Sequence, residues 1–279
     1  MSAVVDLHLH SHHSDGVLTP AELVALASER GVSGLALTDH DSVAGCAAAR
    51  AACLAHSIGF VNGAELSASW RGQAVHVIGL GLDEQSDVFI AHLADLIARR
   101  RVRIGTIGER LARRARIPGI ELAEQVLADA AVPTRMHLAR RLVERGLSSD
   151  TQDAFDRWLG RNAPGHTPIA WPALEVTLAA LHAAGAQIVL AHPHRYRLSG
   201  GALRSLIGEF HALGGHGIEV SIGGISRNDG DRLATLARGH RLAASSGSDF
   251  HDPAIPWHLP GRFAKLPSDL EPIASRLAF

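Results

Sequence analysis

The run Val4-Val5-Asp6-Leu7-His8-Leu9-His10-Ser11-His12-His13-Ser14-Asp15-Gly16 decides how the rest of the chain is read. Its first part is a short apolar strand. Alternation turns Leu7 and Leu9 to one face and His8 and His10 to the other. Two imidazoles on one face at the end of a strand can reach a common metal ion. Asp15 follows five residues later, in a polar loop that closes on Gly16. The chain then reads Thr19-Pro20-Ala21-Glu22, a helix start with Thr19 as N-cap, Pro20 at N1 and Glu22 at N3. A strand that ends in metal-capable side chains and runs into a helix is the unit that the rest of the sequence repeats.

Moving outward, the spacing predicts strands over Gly34–Thr38, Gly59–Leu66, Gln73–Leu80, Gln187–Ala191, Gly217–Ile222 and Leu242–Ser246. Helices are predicted over Gly45–His56, Pro172–Ala184, Ala202–Leu213 and Asp229–Gly239. With the first strand this makes about seven strands alternating with helices, which points to a largely parallel sheet or barrel. Nearly every strand carries a His, Asp or Glu at or near its C-terminal end: His40 after the second, Glu65 on the third, His76 on the fourth, His192 and His194 after the fifth, Asp249 and His251 after the last. Parallel barrels place their chemistry on that face. A single histidine among 18 means little. The same residue types recurring at strand ends mean a metal centre, and imidazole with carboxylate suits Zn, Mn, Fe or Co. The stretch from about Asp87 to Thr167 breaks the rhythm: it offers helical signals and no strand, and is read as a helical insertion.

Bulk properties narrow the classes. The 279 residues, 46% hydrophobic, suffice for one barrel-sized domain with an insertion. The net charge of -1 excludes a global basic field for non-specific nucleic-acid binding. Of 27 basic residues only Lys265 is lysine. Cys46 and Cys53, seven residues apart on a predicted helix, read as small core residues. Without a leader-like N-terminus or a long apolar run, a cytoplasmic protein is expected, with no membrane association and no obligate protein partner.

Four short motifs, Asp6-Leu7-His8-Leu9-His10-Ser11 with Ser14-Asp15-Gly16, Leu37-Thr38-Asp39-His40-Asp41, Ala191-His192-Pro193 and Gly247-Ser248-Asp249-Phe250-His251, appear in the order found in the PHP (polymerase and histidinol phosphatase) family, which the chain resembles. The resemblance implies an α/β fold, a distorted seven-stranded (β/α) barrel, formed by residues 1–86 and 168–279, with 87–167 as a helical insertion domain. It implies three divalent metal ions, Mn2+ first and Zn2+, Fe2+ or Co2+ as alternatives. His8, His10, Glu65 and Asp249 would hold one. Glu65 would bridge to a second, held by His76 and His192, and Asp15, His40 and His251 would hold the third. Pro133-Thr134-Arg135-Met136-His137 in the insertion is similar to the subgroup of nucleotide phosphoesterases.

Three divalent ions set against three carboxylates, neutral histidines and one bridging hydroxide leave a surplus of about +2, which suits a phosphomonoester dianion. The expected reaction is removal of the 3'-phosphate from nucleoside 3',5'-bisphosphates by the bridging hydroxide, giving the 5'-monophosphate, with short RNA as a further substrate. Asp15, His194 and His251 are the candidate catalytic residues. Arg135, His137, His194, Arg195, Ser226, Arg227 and Asn228 are the candidate substrate contacts. Histidinol phosphate or another small phosphomonoester is the alternative substrate. A metal amidohydrolase and a non-catalytic PHP module regulating a partner are the rival classes.

Overall fold

The computed structural model describes residues 4–279; residues 1–3 of the expected barrel segment lie outside it. Its strands are β1 (Val4–Asp6), β2 (Val32–Leu37), β3 (Gly59–Trp70), β4 (Gln73–Leu80), β5 (Gln187–Leu190), β6 (Gly217–Ile222) and β7 (Ala243–Gly247). They form one sheet in chain order. The two ends of the sheet meet: Leu7 N–H donates to Ser246 O at 3.1 Å and Asp249 N–H to His8 O at 2.8 Å, and Leu9 bridges Phe250 in parallel. The sheet is therefore closed into a seven-stranded barrel. Its interior is packed by Leu7, Ala36, Val61, Ile78, Leu80, Val189, Ala191 and Ala243, buried residues on or just past six of the seven strands.

Helices α1 (Pro20–Glu29) and α2 (Cys46–Ala55) cover one side. The predicted cap is present: Thr19 Oγ accepts from Glu22 N–H, and the Glu22 carboxylate accepts from Thr19 N–H at 2.8 Å. Cys46, Ala49 and Cys53 share the buried face of α2, and both cysteines are free.

One departure from the expected pattern matters for the site. β4 runs antiparallel to both of its neighbours. β3 continues past Glu65 to Trp70, turns through Arg71 and Gly72 at φ 49° and 80°, and returns as β4. Two consecutive positive φ values are what a tight hairpin that follows the strand twist requires. His76 consequently lies near the start of β4, opposite Ser67. Its strand begins at the mouth of the barrel instead of ending there.

Between β4 and β5 come α3 (Asp87–Ala115), α4 (Gly119–Asp129), α5 (Arg135–Glu144) and α6 (Thr151–Ala154), which runs into a π-helical turn over Phe155–Leu159. These helices have a core of their own, built on Ile104, Ile107, Leu111, Leu122, Val126, Leu138 and Leu142. The chain re-enters the barrel through α7 (Leu174–Ala183), followed by α8 (Gly200–Ala212) between β5 and β6 and α9 (Arg227–His240) between β6 and β7. Among the described residues no helix is long and apolar enough to cross a membrane.

Candidate metal centre

Alternation carries His8 and His10 off the end of β1 into the mouth, where both are fully buried. There His8 Nε2 and His10 Nε2 lie 3.0 Å apart. Each is 3.4 Å from Glu65 Oε2 and 3.3 Å from Asp249 Oδ1. An ion about 2.1 Å from each of four ligand atoms in a tetrahedron separates them by about 3.4 Å, so these four atoms match the corners of a single-ion cage. Around the other oxygen of Glu65, His76 Nδ1 and His192 Nε2 sit at 3.0 and 2.8 Å from Oε1. A third group joins Asp15 Oδ1 to His251 Nε2 at 3.3 Å and to His40 Nε2 at 3.8 Å. His40 stands between groups, since its Nδ1 also lies 2.9 Å from Glu65 Oε2. All nine residues expected to hold metal thus converge at one place.

The electrostatics fit a cation. Glu65 Oε2 and Asp15 Oδ1 are buried and accept no hydrogen bond among the described residues. Burial opposes ionisation of Glu65, yet His76, His40 and His8 outweigh it and hold the carboxyl well below its usual range. Asp15 and Asp249 are held low against burial in the same way, by His40 and His251 and by His8 and Arg195. Burial pushes His10 down to about 3, so it is present as a neutral ligand. The same carboxylates raise His8, His40 and His251, the last to about 9, so divalent ions would displace protons from these imidazoles as they take up the ionised oxygens and ring nitrogens.

Other acids build this arrangement without joining it. Glu219, a lone acid on the fully buried strand β6, accepts from His8 Nδ1–H at 2.8 Å and from His192 N–H at 2.5 Å. It fixes which His8 nitrogen faces the cage. Asp39 holds the loop that carries Asp15, accepting from Ser11 N–H at 2.8 Å and from the Ser11 and Ser14 hydroxyls at 2.6 Å. Asp6 accepts from Ser248 N–H at 2.9 Å and Gly261 N–H at 2.8 Å, and burial raises it to about 6. Asp41 accepts from Ser67 N–H at 2.8 Å and from Arg100 Nε at 2.5 Å. Arg100 also lies 5.2 Å from the ring centre of Trp171, so it ties α3 to the barrel. Backbone strain gathers at the same spot. Asp41, His192 and Asp249 have φ of 47°, 30° and 55°, each costing on the order of 1 kcal/mol. Gly247 is required by close approach, because a Cβ there would lie 2.4 Å from His8 Cβ.

The centre forms the floor of a cleft of about 660 Å³, roofed by the helical segment. Arg100, Arg103, Arg135, Arg161 and His166 line it beside Phe155 and Trp171. Arg135 lies 5.4 Å from the ring centre of Phe155 and forms no ion pair among the described residues. Burial pulls its pKa down, with Arg100 adding to the effect. Arg103 is pushed down to about 9 by burial, Arg135 and Arg100. Arg195 reaches the cleft too and pairs with Asp249.

The other expected contacts fall elsewhere. His137 does not line the cleft; its Nδ1 accepts from Thr134 N–H at 3.1 Å and completes the cap of α5. Ser226 caps α9, and Ser226 and Arg227 line a different cavity. Asn228, in the first turn of α9, is not brought to the cleft either. His194 does not line the cleft, and its buried Nδ1 has no hydrogen-bond partner among the described residues. Lys265 lies far from the metal centre, on a cavity with Val4 and Pro272.

Comparison with known proteins settles the family. Residues 6–133 match the PHP domain model. Over 97% of this chain and 92% of its own length, the 5'-3' exoribonuclease Rnm of Escherichia coli (strain K12) is 40% identical. The chain belongs to the PHP family. A second relative, the 3',5'-nucleoside bisphosphate phosphatase of Chromobacterium violaceum, is 38% identical over 97% of this chain and 95% of its own length. A solved structure of an amidohydrolase from Chromobacterium violaceum, with bound sulfate and no metal, superposes with a TM-score of 0.91 at 38% identity, covering 98% of this chain and 95% of that one.

Proposed function

We propose that the protein is a metal-dependent phosphoric ester hydrolase acting on nucleotides, with nucleoside 3',5'-bisphosphates as substrate and the 5'-monophosphate and inorganic phosphate as products. One observation carries this reading: seven of the nine candidate metal ligands line the same cleft as Arg103, Arg135 and Arg161, which form no ion pair among the described residues. The floor is suited to the phosphate that is cleaved. A second phosphate, at the 5' end of the same nucleoside, needs a cationic site of its own, and arginine is the side chain best matched to it.

Three divalent ions, Mn2+ first among them, fit the three groups of ligands, with His8, His10 and Asp249 in one, His76 and His192 in another and Asp15 and His251 in the third; Glu65 and His40 stand at the junctions. Such ions would neutralise phosphate charge and make bound water a nucleophile at neutral pH. The protein's own groups do the rest. Arg103 and Arg135 bind the 5'-phosphate. Phe155 and Trp171 flank the nucleoside and exclude water. Arg195, fixed by Asp249, offers its remaining N–H groups to the phosphate being cleaved. The helical segment 87–167 is thereby the substrate-reading unit, set on the barrel of 1–86 and 168–279. The names of the relatives support the same class of substrate.

An amidohydrolase reading is less well supported. A neutral amide has no use for the arginines, and Lys265 is too far away to bridge metals. The test is 31P NMR of purified, Mn2+-supplied protein incubated with adenosine 3',5'-bisphosphate. The expected result is loss of the 3' resonance, growth of inorganic phosphate and a retained 5'-phosphate. Loss of the 5' resonance first, or no turnover, would reject the assignment.

A further inference from the structure

The proposed cleavage separates two sides of the reacting phosphate. Water oxygen adds to phosphorus, the P–O3' bond breaks, and the first nucleoside leaves with a proton on its 3'-oxygen. In a bisphosphate the product is inorganic phosphate. In RNA the same phosphate remains esterified to O5' of the next nucleoside, which must extend out of the cleft as the bond breaks. Arg100 anchors the arginine-bearing roof at the ends of β2 and β3, through Asp41 and Ser67. This leaves the opposite rim of the mouth, beyond β6 and β7, for a second nucleoside.

That rim carries an exposed aromatic residue. Trp257 lies in the loop after β7 and is 56% exposed, whereas Trp70 and Trp171 are buried. It is built into the rim. A Cβ on Gly224, whose φ is 72°, would lie 3.1 Å from the indole Cδ1, so one side of Trp257 rests on bare backbone. A Cβ on Gly223 would lie 2.4 Å from Ser248 O and 2.9 Å from Trp257 O, so the Trp257 main chain packs beside the segment that bears Asp249. The next residue, His258, has Nδ1 3.1 Å from the Asp249 carbonyl oxygen and Nε2 3.4 Å from an Arg195 guanidinium nitrogen. Arg195 in turn pairs with the Asp249 carboxylate. A short bonded path thus leads from the metal centre to an exposed indole.

We infer that Trp257 is a stacking platform for the nucleobase on the far side of the scissile phosphate, the second residue of a single-stranded RNA. This rests on the phosphoesterase reading above and extends it. Stacking on an aromatic side chain suits any base and gives no sequence preference. Trp257 would strengthen binding of short oligonucleotides without affecting a bisphosphate, which has nothing to place there.

The test compares wild type, Trp257→Ala and Trp257→Phe on a 5'-phosphorylated tetraribonucleotide and on adenosine 3',5'-bisphosphate. For Trp257→Ala the inference expects a rise in KM and a loss of about five- to a hundredfold in kcat/KM on the first bond of the tetramer. The bisphosphate constants should stay within about twofold, and Trp257→Phe should recover most of the loss. Equal losses on both substrates, or none on the tetramer, would overturn the subsite alone. A wild-type enzyme that cleaves neither substrate would overturn the phosphoesterase reading and the subsite with it.

Discussion

Replacing Arg135 by Met should separate function from stability. The substitution keeps most of the side-chain length and removes the charge. Arg135 sits with Arg100 and Arg103 and has no carboxylate partner among the described residues, while Arg141 on the same helix takes Asp129 and Glu144. In the free protein the charge is therefore a burden, as the depressed pKa of Arg135 indicates. Its loss relieves repulsion and removes the contact with Phe155, which is worth about 0.5–1 kcal/mol. The net change in unfolding free energy should lie within about 1 kcal/mol of zero, read by urea denaturation. Catalysis should respond very differently. Loss of a desolvated charge contact costs on the order of 2–5 kcal/mol of transition-state binding, about 30-fold to several thousandfold in kcat/KM. That loss should appear on adenosine 3',5'-bisphosphate, while p-nitrophenyl phosphate, which has no second phosphate, should change by about threefold or less. Equal losses on the two substrates, or destabilisation above about 2 kcal/mol, would refute the assignment of Arg135 to the second phosphate.

The neighbouring arginine should show the opposite behaviour. Arg100→Met leaves Asp41 buried without its cation, and should cost about 3–5 kcal/mol in urea denaturation; a loss under 1 kcal/mol would show that the pair does not tie α3 to the barrel. Glu219→Gln keeps the shape of the side chain but weakens the hold on His8 Nδ1–H. It should lower metal affinity about 10- to 100-fold in chelator competition, and unchanged affinity would remove Glu219 from the support of the site. Stripping the protein with a chelator should lower its melting temperature, since each site held at a thousandfold excess over its Kd adds about 4 kcal/mol. Refilling with Mn2+ should restore it, and a melting temperature indifferent to both would count against tight resident ions.

Much of this was legible because the chemistry and the strand ends coincide in the sequence. Asp6-Leu7-His8-Leu9-His10 declares its period, and a strand of that period can only bring both histidines to one side. The β3–β4 hairpin was hidden. Arg71-Gly72 is a poor hairpin signal beside Asn-Gly, and β3 runs beyond the predicted end at Leu66 through Ser67, which is held by Asp41. The supporting acids were visible as residue types and not as roles. Whether an acid at a strand end faces an ion or a backbone N–H depends on the loop that folds over it, as Asp39 and Asp41 show on either side of His40. Glu219 offered the clearest missed signal, a lone carboxylate in an apolar strand. His137 misled for a local reason. It stands at N3 of α5 and does there what Glu or Gln does in the usual capping box. Ser226 is likewise the N-cap of the helix predicted from Asp229, so the expected substrate contacts at Ser226, Arg227 and Asn228 fall on its cap and first turn.

The most direct test of the account counts ions. Wild type and Asp15→Asn would be loaded with Mn2+, freed of excess metal and measured by mass spectrometry for metal per chain, alongside phosphate release from adenosine 3',5'-bisphosphate. Among the described residues the Asp15 carboxylate pairs with His40 and His251, so the expected counts are about three for wild type and two for the variant, with turnover lost in the variant. Full wild-type turnover with one ion per chain, or a variant that keeps both its metal content and its rate, would contradict a trinuclear phosphoesterase.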